Sequence, residues 1–78
     1  MFVKGAITID PETMGGTPVF TGTRVQIESL FDYLMEGETL EDFLRNYPTV
    51  SKEQALEVLN VAASLVMKEQ ILNEVAAG

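Results

Sequence analysis

The sequence predicts a mainly α-helical domain in which a short β element precedes three helices, the last of them long. Three observations carry this expectation. Apolar and polar residues alternate only near the start, at Ala6, Ile7, Thr8, Ile9 and Asp10; from Ile27 the apolar spacing becomes helical; and helix-start signatures stand at Thr39 and Ser51.

The alternating segment has the period of a half-buried strand, and Pro11 ends it because proline has no amide to donate to a ladder. Pro18, Val19 and Phe20 form a second extended stretch. Thr21 and Gly22 then make a two-residue turn ahead of Thr23, Arg24 and Val25, with glycine supplying the positive φ such turns need. Residues 1–5 read as an N-terminal tail. In the first helix Ile27, Leu30, Phe31, Leu34 and Met35 lie on one stripe, and Gly37 stops it. Thr39 and Asp42 resemble a capping box with Asp in place of Glu, opening a second helix whose stripe is Leu40, Phe43, Leu44 and Tyr47. Pro48 disfavours helical geometry at Tyr47, and Ser51 with Gln54 forms a second capping box for the third helix. The second helix, a short turn and the third helix have helix-turn-helix spacing.

In the third helix the apolar residues between Ala55 and Met67 spread over about 240° of the circumference, against the ~100° stripe that one core requires. A second apolar surface therefore needs a cover, most economically another copy of the chain. Beyond Lys68 the pattern rotates, with Glu69, Gln70 and Asn73 on the former core face. One helix over residues 51–77 would extend about 40 Å at 1.5 Å per residue, longer than so small a globule is wide. The last residues therefore either project as an arm or break and fold back. As an arm, Met67, Ile71, Leu72 and Val75 form a candidate partner-binding element. The expected organisation is a tail at 1–5, a domain at 6–66 and a helical extension at 67–78.

Composition limits what the chain does. With 78 residues it buries only about 60% of its unfolded surface, and without cysteine neither disulfides nor thiolate metal sites supplement the thin core, so a homodimer is expected. No signal peptide and no membrane span is legible, which makes a cytoplasmic protein the expectation. Without histidine or cysteine, acid–base catalysis would need carboxylates, lysine or tyrosine in a pocket this chain is too small to deepen; no enzyme, cofactor or metal site is expected. Asp10 and Glu12 are the best carboxylate pair, yet Asp-Pro is ordinarily a turn signal. Five basic against twelve acidic residues give a net charge of −7, which disfavours autonomous nucleic-acid binding and suits a basic partner. Glu28, Asp32, Glu36, Glu38, Glu41 and Asp42 mark an acidic face on the first two helices.

The run 14–24, Met-Gly-Gly-Thr-Pro-Val-Phe-Thr-Gly-Thr-Arg, is the most specific spelling in the chain. It lacks the spacing of either phosphate-binding glycine motif and reads as a shaped turn. Together, Ile9-Asp10-Pro11, Gly16-Thr17-Pro18-Val19, Gly22-Thr23-Arg24-Val25 and the later Leu40-Glu41-Asp42-Phe43-Leu44 with Tyr47-Pro48 resemble the domain of unknown function 433 family over residues 6–66. The resemblance implies a three-helix, winged or homeodomain-like helix-turn-helix bundle preceded by a short β-arm or hairpin, usually dimeric. It also implies an antitoxin role beside a PIN-like ribonuclease toxin, with autoregulation of the operon; the alternative is a DNA-binding transcriptional regulator without a toxin partner. Members commonly carry basic residues where this chain has Thr17 and Thr21. The candidate nucleic-acid contacts are Arg24, Arg45, Lys52 and Gln54, with Glu53 and Glu57 opposing them on the same helix.

Overall fold

A computed structural model describes residues 1–12 and 14–77 of the chain, the side chains of Phe2 and of residues 69–77 falling outside the described set. Two short strands open it, β1 (Phe2–Lys4) and β2 (Ile7–Ile9), joined by the two-residue loop Gly5-Ala6. Their register pairs Phe2 with Ile9 and Lys4 with Ile7, and Gly5 takes φ 56° at the first loop position, which such tight hairpins reserve for glycine. Residues expected as a tail are thus an edge strand. They escape a period-2 reading because three residues are too few to show a period. β3 (Val19–Phe20) pairs antiparallel on the other side of β2, giving the order β1-β2-β3.

Between β2 and β3 the tight turn Met14–Gly16 runs through three positive φ values, 52° at Met14, 67° at Gly15 and 84° at Gly16. Only Met14 bears a β-carbon there, in a conformation that costs an L-residue about 1–2 kcal/mol. Met14 is exposed, so little packing is lost by its removal. Met14→Gly is therefore expected to raise stability by a few tenths to about 1 kcal/mol, net of the entropy glycine adds to the unfolded chain, as read by denaturant titration.

After β3 the amide of Thr23 donates to the Phe20 carbonyl at 2.9 Å with Gly22 at φ 80°, the two-residue turn expected at Thr21 and Gly22. The chain returns alongside β3 through a bridge between Val19 and Gln26 and enters α1 (Ile27–Met35). A Schellman closure ends α1: the amide of Gly37 donates to Leu34 O and that of Glu38 to Tyr33 O, with Gly37 at φ 88°. In α1 Leu30 is buried and Ile27, Phe31 and Leu34 are half-buried, but Met35 is 77% exposed. The stripe is rotated from the one expected, and Tyr33 turns inward to meet the rings of Phe43 at 5.5 Å and Tyr47 at 5.8 Å. Edge-to-face ring pairing outweighs burial of one methionine at the helix end.

α2 (Leu40–Asn46) opens on the expected capping box: Asp42 N donates to Thr39 Oγ1 at 3.1 Å and Thr39 N donates back to Asp42 Oδ2 at 3.2 Å. The Thr39 amide, first, and its hydroxyl hold the Asp42 carboxyl below its ordinary value of 3.8, with Glu38 and the Arg45 guanidinium assisting. A carboxyl lowered on folding contributes stability that is present above its unfolded value and is lost as pH falls through the folded one. Thr39→Ala should cost about 1 kcal/mol at neutral pH and less in acid, once pH has fallen through the lowered value of Asp42 and protonation has already opened half of the box. Urea titrations at the two pH values measure the difference.

α3 (Lys52–Ala77) is one continuous helix of 26 residues, so the extension neither breaks nor folds back; Gly78 lies outside the described residues. It starts from the second capping box, with Gln54 N donating to Ser51 Oγ at 3.1 Å and Ser51 N to Gln54 Oε1 at 3.0 Å. Val50 and Ala55 occupy the staple positions flanking this box, and both are buried. The core gathers Phe20, Leu30, Phe43, Val50, Ala55 and Val58 between the sheet and the helices. Among the described residues no helix is long and apolar enough to cross a membrane.

Candidate functional site

At roughly 1.5 Å per residue, 26 residues of α3 approach the 44 Å long axis of the molecule, so the helix outruns the core it starts from. Burial along it follows directly. Ala55 and Val58 are enclosed and Leu59 and Ala62 are half-buried, but Val61 is 40%, Leu65 59%, Val66 62% and Met67 60% exposed. Leu65 and Val66 fall near the core-facing side of the helix and are exposed because, among the described residues, no other element covers them. Leu56, on the opposite side, is 41% exposed. The wide apolar arc read from the sequence is therefore an uncovered surface of the single chain. Met67 belongs to it; the side chains of Ile71, Leu72 and Val75 lie outside the described residues.

The root of α3 is tied to the β element by two contacts distant in sequence. Glu57 Oε2 accepts a hydrogen bond from Ala6 N in the β1–β2 loop, and Gln54 Nε2 donates to Thr21 O at 2.9 Å. Thr21 also donates through its amide to Ala6 O, and its hydroxyl meets Gly5 O at 2.8 Å and Thr8 Oγ1 at 2.9 Å. One threonine thus joins hairpin, central strand and α3, and a long basic side chain at this position would not reproduce the two hydroxyl bonds to Gly5 O and Thr8 Oγ1. The sequence marks Thr21 as a turn residue and a missing positive charge, and Glu57 as an opposing charge. No local signal reveals such roles, because the partners are 51 residues apart for Glu57 and 33 for Gln54.

The four candidate nucleic-acid contacts are differently placed. Gln54 spends its oxygen on Ser51 and its amide nitrogen on Thr21, so it is a structural strut. Arg45 is held 3.0 Å from Asp42 in an exposed ion pair. Lys52 is exposed at the first turn of α3. Arg24, also exposed, lines an open groove of about 590 Å³ with Thr8, Asp10, Thr23, Val25 and Thr49. Thr23 shapes that groove locally, its hydroxyl donating to Phe20 O at 2.8 Å and accepting from Val25 N at 3.0 Å. Among the described residues, the side chains of Arg24 and Lys52 make no ion pair or hydrogen bond, and Asp10, lining the same groove as Arg24, dilutes its positive field.

The described surface presents an apolar helix face, acidic flanks at Glu53 and Glu57, and scattered basic residues. No curated protein matches the sequence. The chain is similar to a crystal structure of a DUF433 member protein from Anabaena variabilis ATCC 29413, with a TM-score of 0.68 and 27% identity over 94% of this chain and 70% of that one. The family described as "Protein of unknown function (DUF433)" matches residues 7–62, which takes in the β2–β3 pair, the glycine-rich turn, α1, α2 and the rooted half of α3. By that match, and with the fold it shares with a solved member, the chain belongs to the DUF433 family.

Proposed function

We propose that this chain is a binding module of antitoxin type, which dimerises and neutralises a PIN-like ribonuclease and thereby controls its own operon. The observation that carries this reading is the uncovered apolar arc of α3, where Leu65, Val66 and Met67 each expose about three-fifths of their surface. An apolar helix face projecting from a small domain is a helix-in-groove ligand, and a chain with net charge −7 is attracted to a basic nuclease and repelled by nucleic acid. The module has no catalytic part in this reading; the nuclease supplies the chemistry and the module occludes it.

The DNA-binding alternative draws on the helix-turn-helix spacing of α2 and α3 and on exposed Lys52 and Arg24. It is weakened by the engagement of Gln54 and Arg45 within the fold. Co-expression of the chain with the nuclease encoded beside it separates the readings. The proposal expects a co-purifying complex and loss of ribonuclease activity. A nuclease that stays free and active, together with specific retardation of operator DNA by the chain alone, would establish the alternative instead.

A further inference from the structure

Val58, Val61, Leu65 and Lys68 follow one another at spacings of three and four, a heptad-spaced seam along α3. Such a seam drifts around a straight helix by about 20° per heptad, so it starts inside the domain core at buried Val58 and leaves it through half-open Val61 to exposed Leu65. Resting on the reading that α3 carries the interface, we infer that this seam pairs with the same seam of a second copy, the two α3 helices running antiparallel.

Charge order decides the direction. Glu57 flanks the seam at its root, and Lys68 interrupts it eleven residues later, about 16 Å along the helix. A parallel pair would set Glu57 against Glu57 and Lys68 against Lys68, whereas an antiparallel pair centred near Ala63 sets each Lys68 beside the other copy's Glu57. The two Val61–Leu65 layers then fall between the two ion pairs. A lone lysine in an apolar seam is a register device, and the alignment centred near Ala63 both gives it a counter-charge and stacks Val61 on Leu65. Glu57 already accepts from Ala6 N through Oε2, and a carboxylate has capacity for a further donor at its second oxygen. A shallow cavity of about 280 Å³, lined by Lys4, Gly5, Ile7, Glu57 and Val61, continues the seam onto the β1–β2 hairpin, where the second copy's helix passes after its Lys68.

Because the chain contains no cysteine, single cysteines report the arrangement cleanly. Under mild oxidation, a mixture of Val61→Cys and Leu65→Cys chains is expected to form the mixed disulfide about tenfold more than Lys68→Cys forms one with itself, since an antiparallel pair separates the two residues 68 by about 15 Å. Lys68→Glu is expected to weaken self-association of the otherwise native chain about tenfold in sedimentation equilibrium, by facing a like charge. Efficient self-crosslinking of Lys68→Cys would overturn the antiparallel assignment, and a native chain monomeric at millimolar concentration would overturn the pairing altogether. A monomeric chain that still inhibits the nuclease refutes the pairing alone; a crosslinked pair without inhibition supports the pairing and refutes the antitoxin reading.

Discussion

Phe43→Ala is expected to unfold the domain. Phe43 has no exposed surface, and its ring touches Phe20 at 5.9 Å, Tyr33 at 5.5 Å and Tyr47 at 4.9 Å, so it joins β3, α1 and the end of α2. Truncating a buried phenylalanine costs about 3–5 kcal/mol through lost transfer energy and the cavity left behind. A chain of 78 residues has roughly 4–12 kcal/mol to lose at ordinary per-residue stability. Among the described residues the buried hydrophobic side chains that join the helices form one cluster, and Phe43 sits within it. Circular dichroism should show loss of the cooperative thermal transition, while Met35→Ala, at an exposed position the sequence had placed inside, should leave the midpoint nearly unchanged. Equal effects of the two substitutions would refute the core described above.

Gly5→Val should produce the second largest loss, although a glycine in an exposed turn looks expendable. Its φ of 56° costs a β-branched residue about 1–2 kcal/mol or more. An added β-carbon would also stand 3.0 Å from Glu57 Cδ, and closer to Oε2, so the carboxylate must shift and its bond to Ala6 N is weakened or lost. A hydrogen bond to a charged group contributes about 1.5–3 kcal/mol, and the combined expectation is a loss of about 3 kcal/mol or more. Hydrogen exchange should locate it: amides of β1 and β2 lose protection first, because their link to α3 is the contact removed. Gly22→Ala, where no neighbour lies within 4 Å, should pay only the cost of positive φ.

The contrast between these sites shows what a sequence carries. Thr39, Asp42, Gly37, Ser51 and Gln54 were legible because caps are local: each partner lies within a few residues, and the chemistry requires particular residue types at fixed spacing. The stripe of α2 was legible for the same reason. β1 was not, because its pairing depends on a two-residue loop followed by three residues with no period of their own. The inward turn of Tyr33 was hidden too, since only the tertiary arrangement brings three rings from α1 and α2 together. At the candidate site, the excess apolar width of α3 was visible as composition on a helical wheel, but its meaning depended on where the core ends. The struts made by Gln54 and Glu57 required folding to bring residues 33 and 51 positions apart into contact, and they give Gln54 a structural role that the sequence does not display.

On the reading proposed above, the outer half of α3 serves association and contributes little to the fold of the single chain. Val61→Asp with Leu65→Asp tests this most directly, by thermal unfolding at a dilution where the native chain is monomeric and by sedimentation and nuclease inhibition at working concentration. Exposed positions ordinarily shift stability by no more than about 0.5 kcal/mol each, so the dilute transition should barely move while self-association and inhibition are lost. A dilute chain that unfolds as Phe43→Ala does, or a double variant that associates and inhibits like the native chain, would contradict it.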